Sequence, residues 1–248
     1  MVSPQKTELL AYYWSNESRE DFHTFPQRRR LEVIRSAVQR YTPPAPRVLD
    51  VGCGNGYCAG LALAGMPDVK FVGLEYSVAK LLECPEHVPG QVRGVIGDAE
   101  EMPIATASVD LALCCETMEH LPNPPQALAE LRRVMKPDGR LVLTIPLSGT
   151  LHEPLVRLYH WLLRRPPAFA EHLHFFTIRR ALRMVARARF TILENSCHGF
   201  ECFGITPNTY DAYAQRDVRL GFLRLGLTGK PDRWMIGHTF LLVVARSA

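Results

Sequence analysis

Three stretches of the sequence carry residues whose type and spacing suit chemistry. The first is Asp50-Val51-Gly52-Cys53-Gly54-Asn55-Gly56, which follows a short apolar run, RVLDV. Glycines so spaced let the backbone turn tightly and approach a ligand that a Cβ would block. The second is Glu75, at the end of the next apolar run, KFVGLE. An acid at that distance from the turn can accept hydrogen bonds from both ribose hydroxyls of an adenosine. The third is Glu116-x-x-Glu119-His120. On a helix, positions i, i+3 and i+4 share a face, so two carboxylates and an imidazole would converge. Such a set suits a divalent ion, or the imidazole acts alone as a general base. Further along, His174 sits in EHLHFFT, just before an apolar-periodic segment that Thr177 would cap. It either faces a substrate or caps and packs.

The elements that must position these residues follow from periodicity. Thr7–Trp14 and Gln27–Gln39 read as helices, the second with Leu31, Ile34 and Val38 on one face and Pro43, Pro44 and Pro46 after it. Short strands are expected at Arg47–Val51, Lys70–Leu74, Val92–Ile96, Val109–Cys114 and Arg140–Ile145. Between them lie helices at Tyr57–Ala64, Ser77–Cys84 and Pro125–Met135, with a turn at Lys136–Gly139. Strands alternating with helices over this length call for βαβ units and a parallel sheet. After Pro146 the pattern loosens. A helix is expected at Glu153–Arg165 and another at Thr177–Ala188, and strands at Arg189–Asn195 and His238–Ala245. Residues 198–236 read as loop with short helical pieces.

A glycine turn followed by an acid serves two cofactor classes. A dinucleotide site is met only loosely, by Gly54-x-Gly56-x-x-Ala59. An S-adenosylmethionine site needs the Asp before the glycines and the Gly-x-Gly-x-Gly spacing, and both are here. Further segments favour it: Gly97-Asp98-Ala99-Glu100-Glu101-Met102-Pro103, Cys115-Glu116-Thr117-Met118-Glu119-His120-Leu121 and Met135-Lys136-Pro137-Asp138-Gly139-Arg140. With VLDVGCGNG and Glu75-Tyr76-Ser77, in this order, they make residues 47–146 resemble the class I S-adenosylmethionine-dependent methyltransferases of the small-molecule, methyltransferase-11-like type.

That resemblance implies an α/β fold. It would have a Rossmann-like seven-stranded, mostly parallel sheet with its last strand antiparallel, helices on both faces and a lid of insertions. It also implies that Asp50, Gly52, Gly54 and Gly56 cradle the methionine part of the cofactor. Glu75, with Tyr76 beside it, takes the ribose, Asp98 and Ala99 meet the adenine, and Cys115 lines the methionine side. The Glu-x-x-Glu-His string also occurs in ubiquinone-pathway O-methyltransferases and in small-RNA 3′-end 2′-O-methyltransferases. There the resemblance adds a downstream His, for which His172 is the counterpart. The metal candidates are then Glu116, Glu119, His120 and His172. The preferred reading is metal-free, with His120 and His174 as the catalytic candidates.

The chain of 248 residues reads as one domain: a helical cover over 1–46, a cofactor core over 47–146, and an acceptor lid with the last strands over 147–248. Neither a secretory pattern at the start nor a long uncharged apolar run is seen, so a cytoplasmic protein is expected. Seven cysteines without a CxxC array suit reduced thiols. Net charge is only +4, but it is uneven. Residues 51–150 hold 7 basic against 12 acidic side chains, and residues 151–248 hold 14 against 7. The lid segments, 147–175 and 198–236, carry Trp161, Phe169, Phe200, Tyr210 and Trp234, which suit an apolar or aromatic small acceptor. The expected activity is O-methylation of a natural-product or quinone-like metabolite. The alternatives are an RNA 2′-O-methyltransferase, suggested by the basic C-terminal part, and a cofactor-binding scaffold without turnover. The run Leu155–Phe169, apolar with Arg157, Arg164 and Arg165, suits peripheral membrane contact or a helix over the site.

Overall fold

The computed structural model describes residues 25–66, 68–88, 90–147, 172–198, 218–220, 223–225 and 239–247. The helices expected at Thr7–Trp14 and Glu153–Arg165, and the lid aromatics, lie outside the described residues. In chain order the elements are α1 (Phe25–Tyr41), β1 (Arg47–Val51), α2 (Tyr57–Ala62), β2 (Lys70–Glu75), α3 (Val78–His87) and β3 (Gln91–Ile96). Then come β4 (Val109–Cys115), a 3₁₀ turn (Met118–His120), α4 (Pro124–Val134), β5 (Met135–Pro146), α5 (Ile178–Arg187) and β6 (Phe190–His198). The last are β7 (Val218–Leu220), β8 (Leu223–Leu225) and β9 (Thr239–Arg246).

Seven strands form one sheet in the order β3-β2-β1-β4-β5-β9-β6. Strands β1 to β5 pair in parallel, and β9 runs antiparallel to both β5 and β6. This is the mostly parallel sheet that the sequence motifs imply. Strand order reverses between β1 and β4, a switch point at which open α/β sheets bind ligands beyond the carboxyl ends of the strands.

Both faces of the sheet are covered, and the strand period of two sorts the core. Val48, Leu111, Leu113, Val142 and Val243 pack with Ile34, Val38, Ala59, Leu81 and Cys84 from α1, α2 and α3. Their neighbours Leu49, Ala112, Leu141, Leu143 and Val244 pack with Leu128, Leu131, Ala181 and Val185 from α4 and α5. Side-chain caps start three of the helices. Ser77 accepts from Lys80 N, Asn123 from Gln126 N and Thr177 from Arg180 N.

Two local expectations are corrected. Lys136–Gly139 is not a free turn but an irregular stretch inside β5: Met135 pairs with Val109 and Arg140 with Leu111, with a register shift between them. Gly139 is buried there, and a Cβ on it would meet Val109 O at 3.1 Å. Turn-type residues have been drawn into a strand edge by the neighbouring β4. Within 198–236, β7 and β8 pair antiparallel, where short helical pieces were expected. Val218-Arg219-Leu220 and Leu223-Arg224-Leu225 alternate apolar and basic residues, which is a strand period. Among the described residues no helix is long and apolar enough to cross a membrane.

Candidate functional site

The carboxyl ends of β1, β2 and β4 bring the sequence candidates to one edge. Gly52, Gly54 and Gly56 have φ of 72°, 53° and 79°, the left-handed region that glycine tolerates best. Their reasons differ. A Cβ on Gly52 would lie 2.5 Å from Thr117 Oγ1, and one on Gly56 would lie 2.9 Å from Val88 Cγ2. A Cβ on Gly54 would meet nothing within 4 Å. Gly52 and Gly56 are therefore required by close packing, and Gly54 borders open space.

Glu75 is oriented by backbone amides. Its Oε2 accepts from Gly54 N at 2.9 Å, and its Oε1 accepts from Tyr76 N at 2.8 Å and Ser77 N at 3.1 Å. The carboxylate thus fixes the glycine turn itself and keeps acceptor capacity on Oε2. Asp50 is buried on the adjacent strand. Burial first, and then the Glu75 carboxylate, push its pKa up to about 7. Two neighbouring acids at a turn of open backbone suit a cationic ligand such as a sulfonium bearing an α-ammonium. The residues present therefore fit S-adenosylmethionine.

At the ends of β2 and β3, Tyr76 lies beside Asp98 with its phenol oxygen buried and without a hydrogen-bond partner, and burial first, then the neighbouring Asp98 carboxylate, raise its pKa. Asp98 Oδ1 accepts from Glu100 N at 2.8 Å, and Ala99 beside it is buried. The loop past Asp98 is held by a pair absent from the sequence reading. Glu130 Oε2 accepts from Met102 N, while Arg133 donates to Met102 O and Ile104 O and pairs with Glu130 at 2.7 Å. The i, i+3 spacing of Glu130 and Arg133 on α4 was the available signal.

Cys115 is half-buried at the end of β4. A bond with Cys58, followed by burial, raises its thiol pKa, so it stays protonated. Cys53 Sγ lies 3.8 Å from Cys84 Sγ beneath the glycine turn. These thiols serve as packing groups with weak mutual bonds.

The Glu-x-x-Glu-His string is not a regular helix. Glu116 adopts φ 52°, and only Met118–His120 form a single 3₁₀ turn. Glu116 therefore departs from the expected shared face and pairs with Arg30 of α1 at 3.3 Å. The remaining three candidates do meet: the ligand atoms of Glu119, His120 and His172 lie within 4.8 Å of one another. Glu119 is buried, its Oε1 lies 3.6 Å from His120 Nε2, and the His120 and His172 rings meet edge to face at 4.9 Å. The 3.6 Å contact is electrostatic rather than a hydrogen bond. His172 reaches this place because Leu173 N and His174 N both donate to Glu119 O, at 2.8 and 3.0 Å.

His174 is placed differently from the catalytic expectation. Its Nε2 lies 3.3 Å from Pro122 O and its Nδ1 lies 3.4 Å from Arg180 Nη2. A guanidinium only donates, so Nδ1 accepts and Nε2–H donates to the carbonyl. Both ring nitrogens are thereby engaged in holding the 172–176 segment to the turn. His172 is the imidazole that the fold sets against His120.

Residues 49–143 match the family model described as a methyltransferase domain. Over 165 residues the chain is 31% identical to a malonyl-[acyl-carrier protein] O-methyltransferase of Methylococcus capsulatus, covering 66% of this chain and 58% of that protein. It is 27% identical over 205 residues to the O-methyltransferase cnsE of Penicillium expansum, covering 78% and 72% of the two chains. An S-adenosylmethionine-dependent methyltransferase structure from Methanosarcina mazei superposes with a TM-score of 0.58 at 17% identity, covering 85% of this chain and 97% of that one. The chain spans about half the length of the first curated relatives it matches. It carries a methyltransferase domain with the class I S-adenosylmethionine-dependent fold.

Proposed function

We propose that this chain, with its class I methyltransferase domain, transfers a methyl group from S-adenosylmethionine to an oxygen of a small acceptor. The observation that carries the reading is one sheet edge. It joins the Asp50–Glu75 acids at the glycine turn to the Glu119–His120–His172 group across the β1/β4 switch point. Bound cofactor would supply a methyl carbon on a sulfonium, with the neutral thioether as the leaving group when an acceptor oxygen bonds to that carbon. Asp50 favours that cation, while Glu75 orients the glycine turn and offers the spare acceptor capacity of its Oε2 to the ribose hydroxyls. Asp98 and Tyr76 present acceptor and phenol groups at the adenine end, and the Glu130–Arg133 pair holds the loop that carries Asp98.

His120 accepts the proton of an acceptor hydroxyl. Glu119, buried at its side, favours the imidazolium that results, and His172 fixes the ring's orientation from the edge. General base catalysis of this kind contributes about 10²–10⁴-fold. The aligned curated relatives named above are O-methyltransferases, one of them named for malonyl-[acyl-carrier protein], so oxygen is the favoured acceptor atom. The aromatic lid segments of the sequence favour an apolar or aromatic body for the acceptor, a natural-product or quinone-like metabolite among them.

A metal reading is favoured by one observation, the meeting of Glu119, His120 and His172. In that reading the three residues would bind a divalent ion that lowers the hydroxyl pKa. The metal-free reading is preferred because Glu116, the fourth expected ligand, is engaged by Arg30.

The test is methyl transfer from methyl-labelled S-adenosylmethionine to a panel of phenols, hydroxyquinones, malonyl thioesters and short RNAs, before and after exhaustive chelation. A labelled small-molecule ether or ester, formed equally after chelation, supports the reading. Labelled RNA only, or cofactor binding with no labelled product, would favour the RNA enzyme or the scaffold. Activity that needs Mg²⁺ or Zn²⁺ restored would make the cluster a metal centre.

A further inference from the structure

We infer that the Arg30–Glu116 ion pair pins the catalytic turn to the N-terminal helix, so that Arg30 is a positioning residue for His120. The inference rests on the methyltransferase reading of that turn. Glu116 is the first residue past β4 and adopts φ 52°. A bulky L-residue there costs free energy that glycine would not. Its amide donates to Thr144 O and Thr144 Oγ1, both at 3.2 Å, which ties the backbone side to β5. Its carboxylate is held on the other side by Arg30, and the two side chains are only 18% and 11% exposed.

The strained residue is short of His120 by one 3₁₀ turn. Thr117 Oγ1 donates to Val51 O and Cys115 O, each at 3.1 Å, and His120 N donates to Thr117 O at 3.0 Å. A rotation at Glu116 therefore passes directly to Glu119 and His120, and through the Glu119 carbonyl to His172. Arg30 can resist it because α1 is anchored. Ile34, Ala37 and Val38, one to two turns on, are fully buried against the sheet. Removing the guanidinium takes a charged partner from a part-buried carboxylate and releases the restraint it places on the turn. Glycine at 116 holds the same φ without strain, so it removes the need for the pin.

The experiment uses the full chain with isotope-labelled histidine. It reads the ring resonances of His120 and His172, amide exchange at residues 117–121, and calorimetric binding of S-adenosylhomocysteine. Arg30→Met keeps the aliphatic stem, and Arg30→Lys keeps the charge. Arg30→Met should shift both rings and speed exchange at 117–121 at least tenfold, with cofactor-product affinity within threefold of the wild type. Arg30→Lys should return most of the shift. In a Glu116→Gly background, Arg30→Met should be silent. If Arg30→Met does not fold, Glu116→Gln carries the same ring and exchange readouts. Unchanged rings and exchange in Arg30→Met, or the same change in the glycine background, would overturn the pin. A wild type that binds no S-adenosylhomocysteine would instead sink the methyltransferase reading, while the ring and exchange data still decide the pin.

Discussion

The cofactor side and the acceptor side of the site are built by different physics. On the cofactor side, Glu75 reaches back 21 residues to Gly54 and otherwise bonds its own neighbours, Tyr76 and Ser77. Three glycines at positive φ and one acid define the turn, and all lie in two short sequence runs. On the acceptor side, one 3₁₀ turn carries the proposed base, and its partners come from far away. Arg30 arrives from α1, Thr144 from β5, and the 172–174 segment hangs from the Glu119 carbonyl. A local motif makes a robust cradle. A turn held by long-range partners is easier to tune and to disturb, which suits the half of an enzyme where acceptors differ.

The largest effect should come from the point where the two sides touch. Gly52→Val places branched atoms where Thr117 already sits 2.5 Å away and forces φ 72° on a β-branched residue. Overpacking of about 1–3 kcal/mol and left-handed strain of about 1–3 kcal/mol add. Gly54→Ala meets open space and should cost only the left-handed strain of φ 53°, about 1–2 kcal/mol. Thermal melts of the two variants separate them, and equal losses would show that the Thr117 contact is not limiting.

Next comes the split between binding and chemistry. Glu75→Ala strips three backbone amides of their acceptor and should weaken S-adenosylhomocysteine binding by roughly 1–3 kcal/mol. His120→Ala should lower kcat by about 10²-fold or more while leaving that affinity nearly unchanged. A parallel loss of affinity in both variants would erase the distinction between the two sides.

A smaller effect is a pH dependence confined to the cofactor side. The Asp50 pKa is raised from 3.8 to about 7 in the folded chain. The folded state therefore binds more protons than the unfolded state between those values. Stability contributed at this site is full below the unfolded value, falls as pH rises, and is lost above about 7. A cationic ligand favours the ionised carboxylate and reverses the balance. Cofactor affinity should rise through pH 6–8 with release of a proton, seen by calorimetry in buffers of different ionisation enthalpy. Asp50→Asn should flatten the profile, and a slope that survives this change would assign the proton elsewhere.

The smallest expected change is at His174. With its two nitrogens on Pro122 O and Arg180, His174→Gln should cost about 1 kcal/mol of stability and less than tenfold in kcat. A loss as large as that of His120→Ala would restore His174 to the chemistry.

What the sequence made legible follows the same divide. Asp50, the glycines and Glu75 could be picked out because each lies at a strand end marked by periodicity, and the sheet needs only that periodicity; Asp98 is picked out by the resemblance that the Gly97–Pro103 segment carries. The stop at Cys115, by contrast, hides a left-handed Glu116. Nothing in Glu-x-x-Glu-His announces that one of its acids turns away, because the deciding partner, Arg30, is 86 positions earlier. The different placement of His172 and His174 has the same origin. Residues i and i+2 of an extended segment would share a face, but a bend at Leu173, where Leu173 N and His174 N both donate to Glu119 O, sets His172 against His120 and His174 on Pro122 O and Arg180. The Lys136–Gly139 stretch misled for a simpler reason. Turn residues carry a local preference, and pairing with Val109 and Leu111 overrode it.

The most direct test of the central claim is one calorimetric series with S-adenosylhomocysteine against the wild type, Glu75→Ala and His120→Ala. The account predicts tight binding by the wild type, binding weakened by roughly 5–150-fold in Glu75→Ala, and binding within about threefold of wild type in His120→Ala. No binding by a folded wild type, or wild-type affinity in Glu75→Ala, would contradict it.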